Sequence, residues 1–235
     1  MIDKNKLLII IPAYNEQDSI LHTIKELKAS SAKDLAYIVI NDGSKDDTLK
    51  VLQDNQINHL SYEQNGGLSH AVRIGMAYAL EHGYDYCIQI DADNQHDPAY
   101  INDFVQAAIQ PNCIIVGNRY HNDKRGLSLK AIAQWYISLC FNLKTHQHIL
   151  DPTNGMRLYG KEFMQYYVNN PNLMVEPSTI AYLVKKYHLQ LIQVHNIIRN
   201  RKSGQSMYNK RWKQLKYILR ETNRMLSLTD NWTRK

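Results

Sequence analysis

Asp91 and Asp93 lie one residue apart at the end of an apolar run, where two carboxylates could share one hard cation. Strand alternation would point residues i and i+2 to the same side. A nucleotide diphosphate would bring further oxygens to such a cation. The cation would then stabilise the charge building on a departing diphosphate, with no proton moved. Two more acids, Glu16 and Asp42, follow other apolar runs, where they could accept hydrogen bonds from a base imide or a ribose hydroxyl. Tyr14 offers a ring for a base to lie against, and Gly43 permits a sharp turn after Asp42. Each of these residues also has an ordinary use as a turn or cap. His146 and His148 have no third ligand nearby in sequence and read as solvated residues at a helix end.

These acids work together only if separate loops meet. Residues 7–11 form a continuous apolar run ended by Pro12, the pattern of a strand buried on both faces. Further strands are predicted at 35–40, 57–62, 84–90 and 113–117. Between them, helical spacing predicts a helix from about 20 to 28 capped by Asp18, and another through Leu52 opened by a Ser44-x-x-Asp47 signal. Two more are predicted over 71–80 and 99–109. This alternation predicts an α/β fold with a Rossmann-like, mostly parallel central sheet and helices on both faces. Beyond residue 117 the spacing predicts helices at 127–144, 161–168 and 177–187 and strands near 156–159 and 189–195. A polar loop at 199–209 and a basic amphipathic helix at 210–228 follow. Open parallel sheets bind ligands beyond the carboxyl ends of their strands, which is where residues 12–16, 41–44 and 91–95 fall. The first strand is followed by no G-x-G-x-x-G, and no P-loop occurs, which argues against dehydrogenases and kinases of those types.

The chain has 235 residues, 44% of them hydrophobic and 21% charged, and carries a formal net charge of +6. A catalytic domain at 1–198 with an appended basic segment at 199–235 is the simplest division. That segment holds eleven Lys/Arg and two acids, against 17 basic and 20 acidic residues before it. Its amphipathic helix places Trp212, Leu215, Ile218, Leu219 and Leu226 on one stripe beside basic residues, as expected for peripheral contact with an anionic membrane. Docking on the protein itself is the plainer use of such a stripe, and nothing beyond this charge suggests nucleic acid. Cys87, Cys113 and Cys140 are odd in number and lack a C-x-x-C pair, so free buried thiols are expected. The first residues show no signal-peptide pattern, and no apolar stretch approaches the ~20 residues of a membrane span. A cytoplasmic protein, peripheral at most at the inner face of a membrane, is expected.

The stretches IPAYNE (11–16), NDGSKDDT (41–48) and DADNQHDP (91–98) together resemble the hallmark blocks of glycosyltransferase family 2, which has the GT-A fold. VGNRY (116–120), DPTNGMRLY (151–159) and RKSGQS (201–206) are similar to blocks of its polyprenyl-phosphate branch, typified by dolichyl-phosphate mannose synthase. Met207 stands where that branch tends to place a lysine. The resemblance implies that Pro12, Tyr14, Glu16, Ile40 and Asp42 line a nucleoside pocket. Asp91 and Ala92 would contact the nucleotide, and Asp91, Asp93 and Gln95 would hold Mg2+ or Mn2+. Arg119 and Arg201 would meet phosphates, a task suited to the paired donors of guanidinium.

The implied reaction is inverting, metal-dependent transfer of a sugar from a nucleotide diphosphate sugar to a polyprenyl phosphate. Transfer to a hydroxyl of a cell-surface glycan is the alternative, and a catalytically silent nucleotide-sugar-binding protein is the rival from another class. The family's hydroxyl-directed members place an acidic base well downstream of D-x-D, where Glu176 falls. A phosphate monoester, mostly dianionic at neutral pH, needs no such base.

Overall fold

The structure is a computed structural model that describes residues 2–109, 113–120, 129–199 and 211–227, with the backbone alone at 129–130 and 211–215. Its first strand, β1 (Leu7–Ala13), is buried at every position. Leu7, Ile9 and Ile11 enter one core and Leu8 and Ile10 the other. A strand apolar on both faces must lie inside the sheet, and β1 pairs in parallel with β2 (Ala36–Asp42) on one side and β4 (Tyr86–Gln89) on the other. With β3 (His59–Tyr62), β5 (Cys113–Asn118), β6 (Arg157–Gly160) and β7 (Gln190–His195), the seven strands take the order β3-β2-β1-β4-β6-β5-β7. All pairs are parallel except those of β6, which runs antiparallel between β4 and β5. The mostly parallel sheet is the expected one.

Helices α1 (Ile20–Ala29), α2 (Thr48–Asp54) and α4 (Ile101–Ala107) cover one face through residues such as Ile24, Leu52 and Phe104. Helices α3 (Leu68–Glu81), α5 (Leu129–Thr145), α6 (Lys161–Asn169) and α7 (Pro177–Tyr187) cover the other. The last helix, α8 (Arg211–Ser227), packs on α5 and α7. It docks through Ile218, Glu221, Thr222 and Met225, whose i, i+3, i+4, i+7 spacing makes one face. The expected single stripe is therefore divided. Ile218 turns to the core while Leu219 and Leu226 stay exposed; the side chains of Trp212 and Leu215 lie outside the described residues.

Local details also differ from expectation. Asp18 does not cap α1; its first turn is closed by Ser19 and Ile20 N–H groups donating to the Glu16 carbonyl. The Ser44/Asp47 signal is unused as a box, because Ser44 bonds Asn41 and Asn15 while Asp46 accepts from the Thr48 N–H. The strand before the D-x-D pair ends at Gln89, two residues short of Asp91. The thiols are free as expected, with Cys87 and Cys113 buried. Among the described residues, no helix is long and apolar enough to cross a membrane.

Candidate active site

Beyond the carboxyl ends of β1 and β2, the two following loops are laced together. Asn15 takes a left-handed φ of 55°, accepts from the Lys45 N–H at 2.8 Å and donates its own N–H to Ser44 at 3.0 Å. The Glu16 N–H donates to Thr48 Oγ1 at 2.8 Å, and its carboxylate accepts from the Ser19 hydroxyl. Tyr14 is 45% exposed beside them. Pro12 and Ile40 are register partners across β1 and β2, both buried in the core. Asp42 is also buried. Its carboxylate accepts from the Gly66 and Gly67 N–H groups at 3.0 and 2.7 Å and meets His70 Nδ1 at 3.1 Å. Gly43, at φ 67°, brings the chain so close to the 64–65 backbone that a Cβ would lie 2.6 Å from Asn65 N.

Asp91 and Asp93 lie in a turn rather than on a strand, so the expected strand alternation does not orient them. The turn is built by Asn94, at φ 62°, by the Gln95 N–H donating to Asp93 Oδ1 at 3.0 Å, and by the Thr23 hydroxyl on the Ala92 carbonyl at 2.9 Å. The Asp91 N–H donates to His96 Nδ1 at 3.0 Å, and the same ring nitrogen lies 3.7 Å from the Asp91 carboxylate. Gly155 admits both groups; a Cβ there would sit 2.9 Å from Asp91 Oδ2 and from His96 Cε1. The Gln95 side chain donates to the Arg199 carbonyl at 3.0 Å, fastening the start of the basic segment beside this turn. Arg199 itself pairs with Glu26 and Asp97.

Asp91, Asp93, Gln95, Arg119 and Glu176 line one pocket of about 510 Å³. Pro12, Tyr14, Glu16, Ile40, Asp42 and Ala92 stand outside its lining, although Asp42 reaches it at one remove through Gly66 and Gly67. Arg119 is held at 2.6 Å by Asp151, a fully buried carboxylate that also accepts from Thr153 and Asn154. Glu176 precedes α7, but its carboxylate does not cap that helix; it accepts from Tyr217 at 2.8 Å and Arg220 at 3.2 Å, both on α8. Burial pushes the Glu176 carboxyl above the usual range and nearby Glu221 adds to this, while Tyr217, Arg220 and Arg157 pull it back. The cap of α7 comes from Glu221, which accepts from the Ser178 N–H and hydroxyl at 3.3 and 2.7 Å. Arg201 lies outside the described residues.

Sequence reading missed Arg157, Tyr217 and Arg220, which also line the pocket. Arg157 is buried on β6 and donates to the carbonyls of Pro152 and Val175, joining the two loops that carry Thr153 and Glu176. Its place inside the DPTNGMRLY block was the available signal. Nothing in sequence points to Tyr217 or Arg220, which reach Glu176 from more than forty positions away.

The donor set suits a hard divalent cation. Gln89 Oε1 is buried without a hydrogen-bond partner, and its side-chain nitrogen lies 3.4 Å from Asp91 Oδ1. Among the described residues no group of three or more His, Cys, Asp or Glu is placed to hold a metal ion by itself. His146 and His148 are exposed after α5, as expected.

The chain is 28% identical over 186 residues to the UDP-N-acetylglucosamine–dolichyl-phosphate N-acetylglucosaminyltransferase of Methanococcus voltae, covering 70% of this chain and 73% of that one. It is 27% identical over 167 residues to the undecaprenyl-phosphate mannosyltransferase of Micrococcus luteus, covering 68% of each. The fold matches glucosyl-3-phosphoglycerate synthase from Mycobacterium tuberculosis, crystallised with phosphoglyceric acid, at a TM-score of 0.70 and 17% identity, over 96% of this chain and 81% of that one. The same enzyme with Mn2+ and UDP-glucose matches at 0.68 and 16% identity, over 96% and 80%. These matches place the fold as GT-A. The family described as glycosyl transferase family 2 matches residues 8–168, so the chain belongs to that family and is a glycosyltransferase.

Proposed function

We propose that the protein transfers a sugar from a nucleotide diphosphate sugar to a polyprenyl phosphate, inverting the anomeric carbon in one displacement. The observation that carries the acceptor is the state of Glu176. The carboxylate placed along the chain where a hydroxyl-directed relative would keep its base has both oxygens engaged by α8. The names of the two relatives, dolichyl-phosphate and undecaprenyl-phosphate transferases, support the same acceptor class.

A phosphate acceptor oxygen attacks the anomeric carbon, the bond from that carbon to the diphosphate oxygen breaks, and the nucleoside diphosphate leaves with the bonding pair. A divalent cation held by Asp91 and Asp93, with Gln95 beside them, supplies positive charge for the leaving group when bound. Arg119, oriented by buried Asp151, presents guanidinium donors to a phosphate. Arg201 is assigned the same task. The nucleoside is assigned to Tyr14, Glu16 and Asp42 with Pro12, Ile40 and Ala92. The protein works peripherally at the cytoplasmic face of the membrane that holds the lipid.

Transfer measured with polyprenyl phosphate tests the reading. Glu176→Gln is expected to slow it less than tenfold and Arg201→Ala far more. A loss of ~10²–10⁴-fold in Glu176→Gln, with donor binding intact, is the size of a lost general base and would transfer the assignment to a hydroxyl acceptor.

A further inference from the structure

We propose that Arg199 is a positioning residue for the cation site, holding the Gln95 amide so that its oxygen is the end offered to the metal. The proposal rests on the reading above, in which Asp91 and Asp93 hold a divalent cation with Gln95 beside them. Gln95 lines the pocket together with both carboxylates. A glutamine amide has two ends, and only the oxygen suits a hard cation. The Gln95 Nε2 donates to the Arg199 carbonyl at 3.0 Å, and a flipped amide would set oxygen against oxygen there. The nitrogen is thereby committed, and the oxygen is left for a ligand.

The Arg199 carbonyl can do this only where its own chain is fixed. Arg199 arrives from beyond β7, 104 positions after Gln95. Its N–H donates to the Gln95 carbonyl at 2.9 Å, and Ile198 bridges His96 in antiparallel register. Main chain and side chain of Gln95 are thus tied to one short segment. That segment is anchored behind by the Asn196 N–H, which donates to the Asn118 carbonyl at the end of β5 at 3.0 Å. The guanidinium anchors it in front. Its Nη1 meets Glu26 of α1 at 2.5 Å and its Nη2 meets Asp97 at 2.5 Å. A planar fork can bridge two carboxylates in this way, whereas an ammonium is a single point charge. Asp97 continues the turn that carries Gln95, and Glu26 rides on a helix seated in the core by Ile24 and Leu27.

Neither Glu26 nor Asp97 lines the pocket, so the ion pairs act on the site only through the segment they hold. All three side chains are partly exposed, and pairs of that kind contribute little to overall stability. Removing Arg199 or Glu26 therefore leaves Asp91, Asp93 and Gln95 intact and takes away the hold on the Gln95 amide. Partners that orient a metal ligand from behind commonly carry ~10–100-fold in metal affinity.

The experiment uses the full chain and needs no turnover. Mn2+ is titrated in the presence of saturating UDP or GDP, whichever stabilises the protein in thermal melts, and free Mn2+ is read by electron paramagnetic resonance. Arg199→Ala is expected to weaken Mn2+ binding ~10-fold or more. Arg199→Lys should fall between it and the wild type, and Glu26→Gln should weaken binding less, because the Asp97 pair remains. Gln95→Ala should cost as much as Arg199→Ala, and adding Arg199→Ala to Gln95→Ala should cost little more, the sign of an effect carried through Gln95. The metal-free melting temperature should barely move in Glu26→Gln. Lys161→Ala, which breaks an exposed ion pair with Asp85 outside the pocket lining, should leave Mn2+ binding unchanged. Unchanged Mn2+ binding in Arg199→Ala and Glu26→Gln, while Asp93→Asn abolishes it, overturns the proposal. So does a full additional loss from Arg199→Ala in the Gln95→Ala background. A wild-type protein that binds nucleotide with no dependence on Mn2+ would instead remove the metal reading, and this proposal with it.

Discussion

Asp42 and Tyr14 face different consequences when truncated. The Asp42 carboxylate holds two backbone N–H groups of the 66–67 turn, so Asp42→Ala strands both donors. A cost of about 1.5–3 kcal/mol is expected, the size for hydrogen bonds to a charged group, and urea denaturation measures it. Tyr14, 45% exposed, should change stability by less than ~0.5 kcal/mol on conversion to Ala. Nucleotide affinity by calorimetry is expected to fall in both variants. Glu176 has the opposite linkage to an ordinary ion-paired acid. Burial raises its carboxyl pKa, so between the ordinary carboxylate value and the raised one the native state holds a proton that the unfolded chain has released. Stability therefore falls as pH rises through that window. Glu176→Gln should flatten this slope in thermal melts across the weakly acidic range, and an unchanged slope would count against it.

Helix α7 shows how one element depends on another distant in sequence. Pro177 at its first position and extended Glu176 before it are the marks of a helix start, and the spacing of 177–187 predicts its observed bounds. Its side-chain cap is not local, since Glu221 provides it from α8. Glu221→Ala should cost about 1.5–3 kcal/mol and raise amide exchange in both helices, because Ser178 loses its partner and Arg220 and Arg224 lose a carboxylate. Hydrogen-exchange protection over 177–187 and 211–227 is the measurement. The same contrast runs through the fold. Apolar runs and helical spacing expose β1, β2 and α7 because burial is written into each position. The turn that carries Asp91 and Asp93 depends instead on a left-handed Asn94 and a close Gly155, and the division of the α8 stripe depends on which neighbours it meets. Pair interactions between distant residues leave no period to read.

At the scale of the molecule, a ligand that binds only the folded chain reports on the assembled site. A nucleoside diphosphate with Mn2+ at ~100 times its Kd should add about 2.7 kcal/mol of stability. Chelator or Asp93→Asn should remove most of that gain in thermal melts, and Asp93→Asn should slow transfer at least ~10³-fold, about 4 kcal/mol of barrier. The antiparallel β6 has a further consequence, for the chain as it leaves the ribosome. Strands β1 to β4 are complete by Gln89, yet β4 gains its second neighbour only when Gly160 has emerged, 71 residues later, and β5 lacks its β6 partner until then. At ~5–20 residues per second this leaves a nascent half-sheet with an open edge for roughly 4–14 s. An edge of that kind is a template for intermolecular pairing, so the interval before β6 is synthesised is when this chain most needs a chaperone.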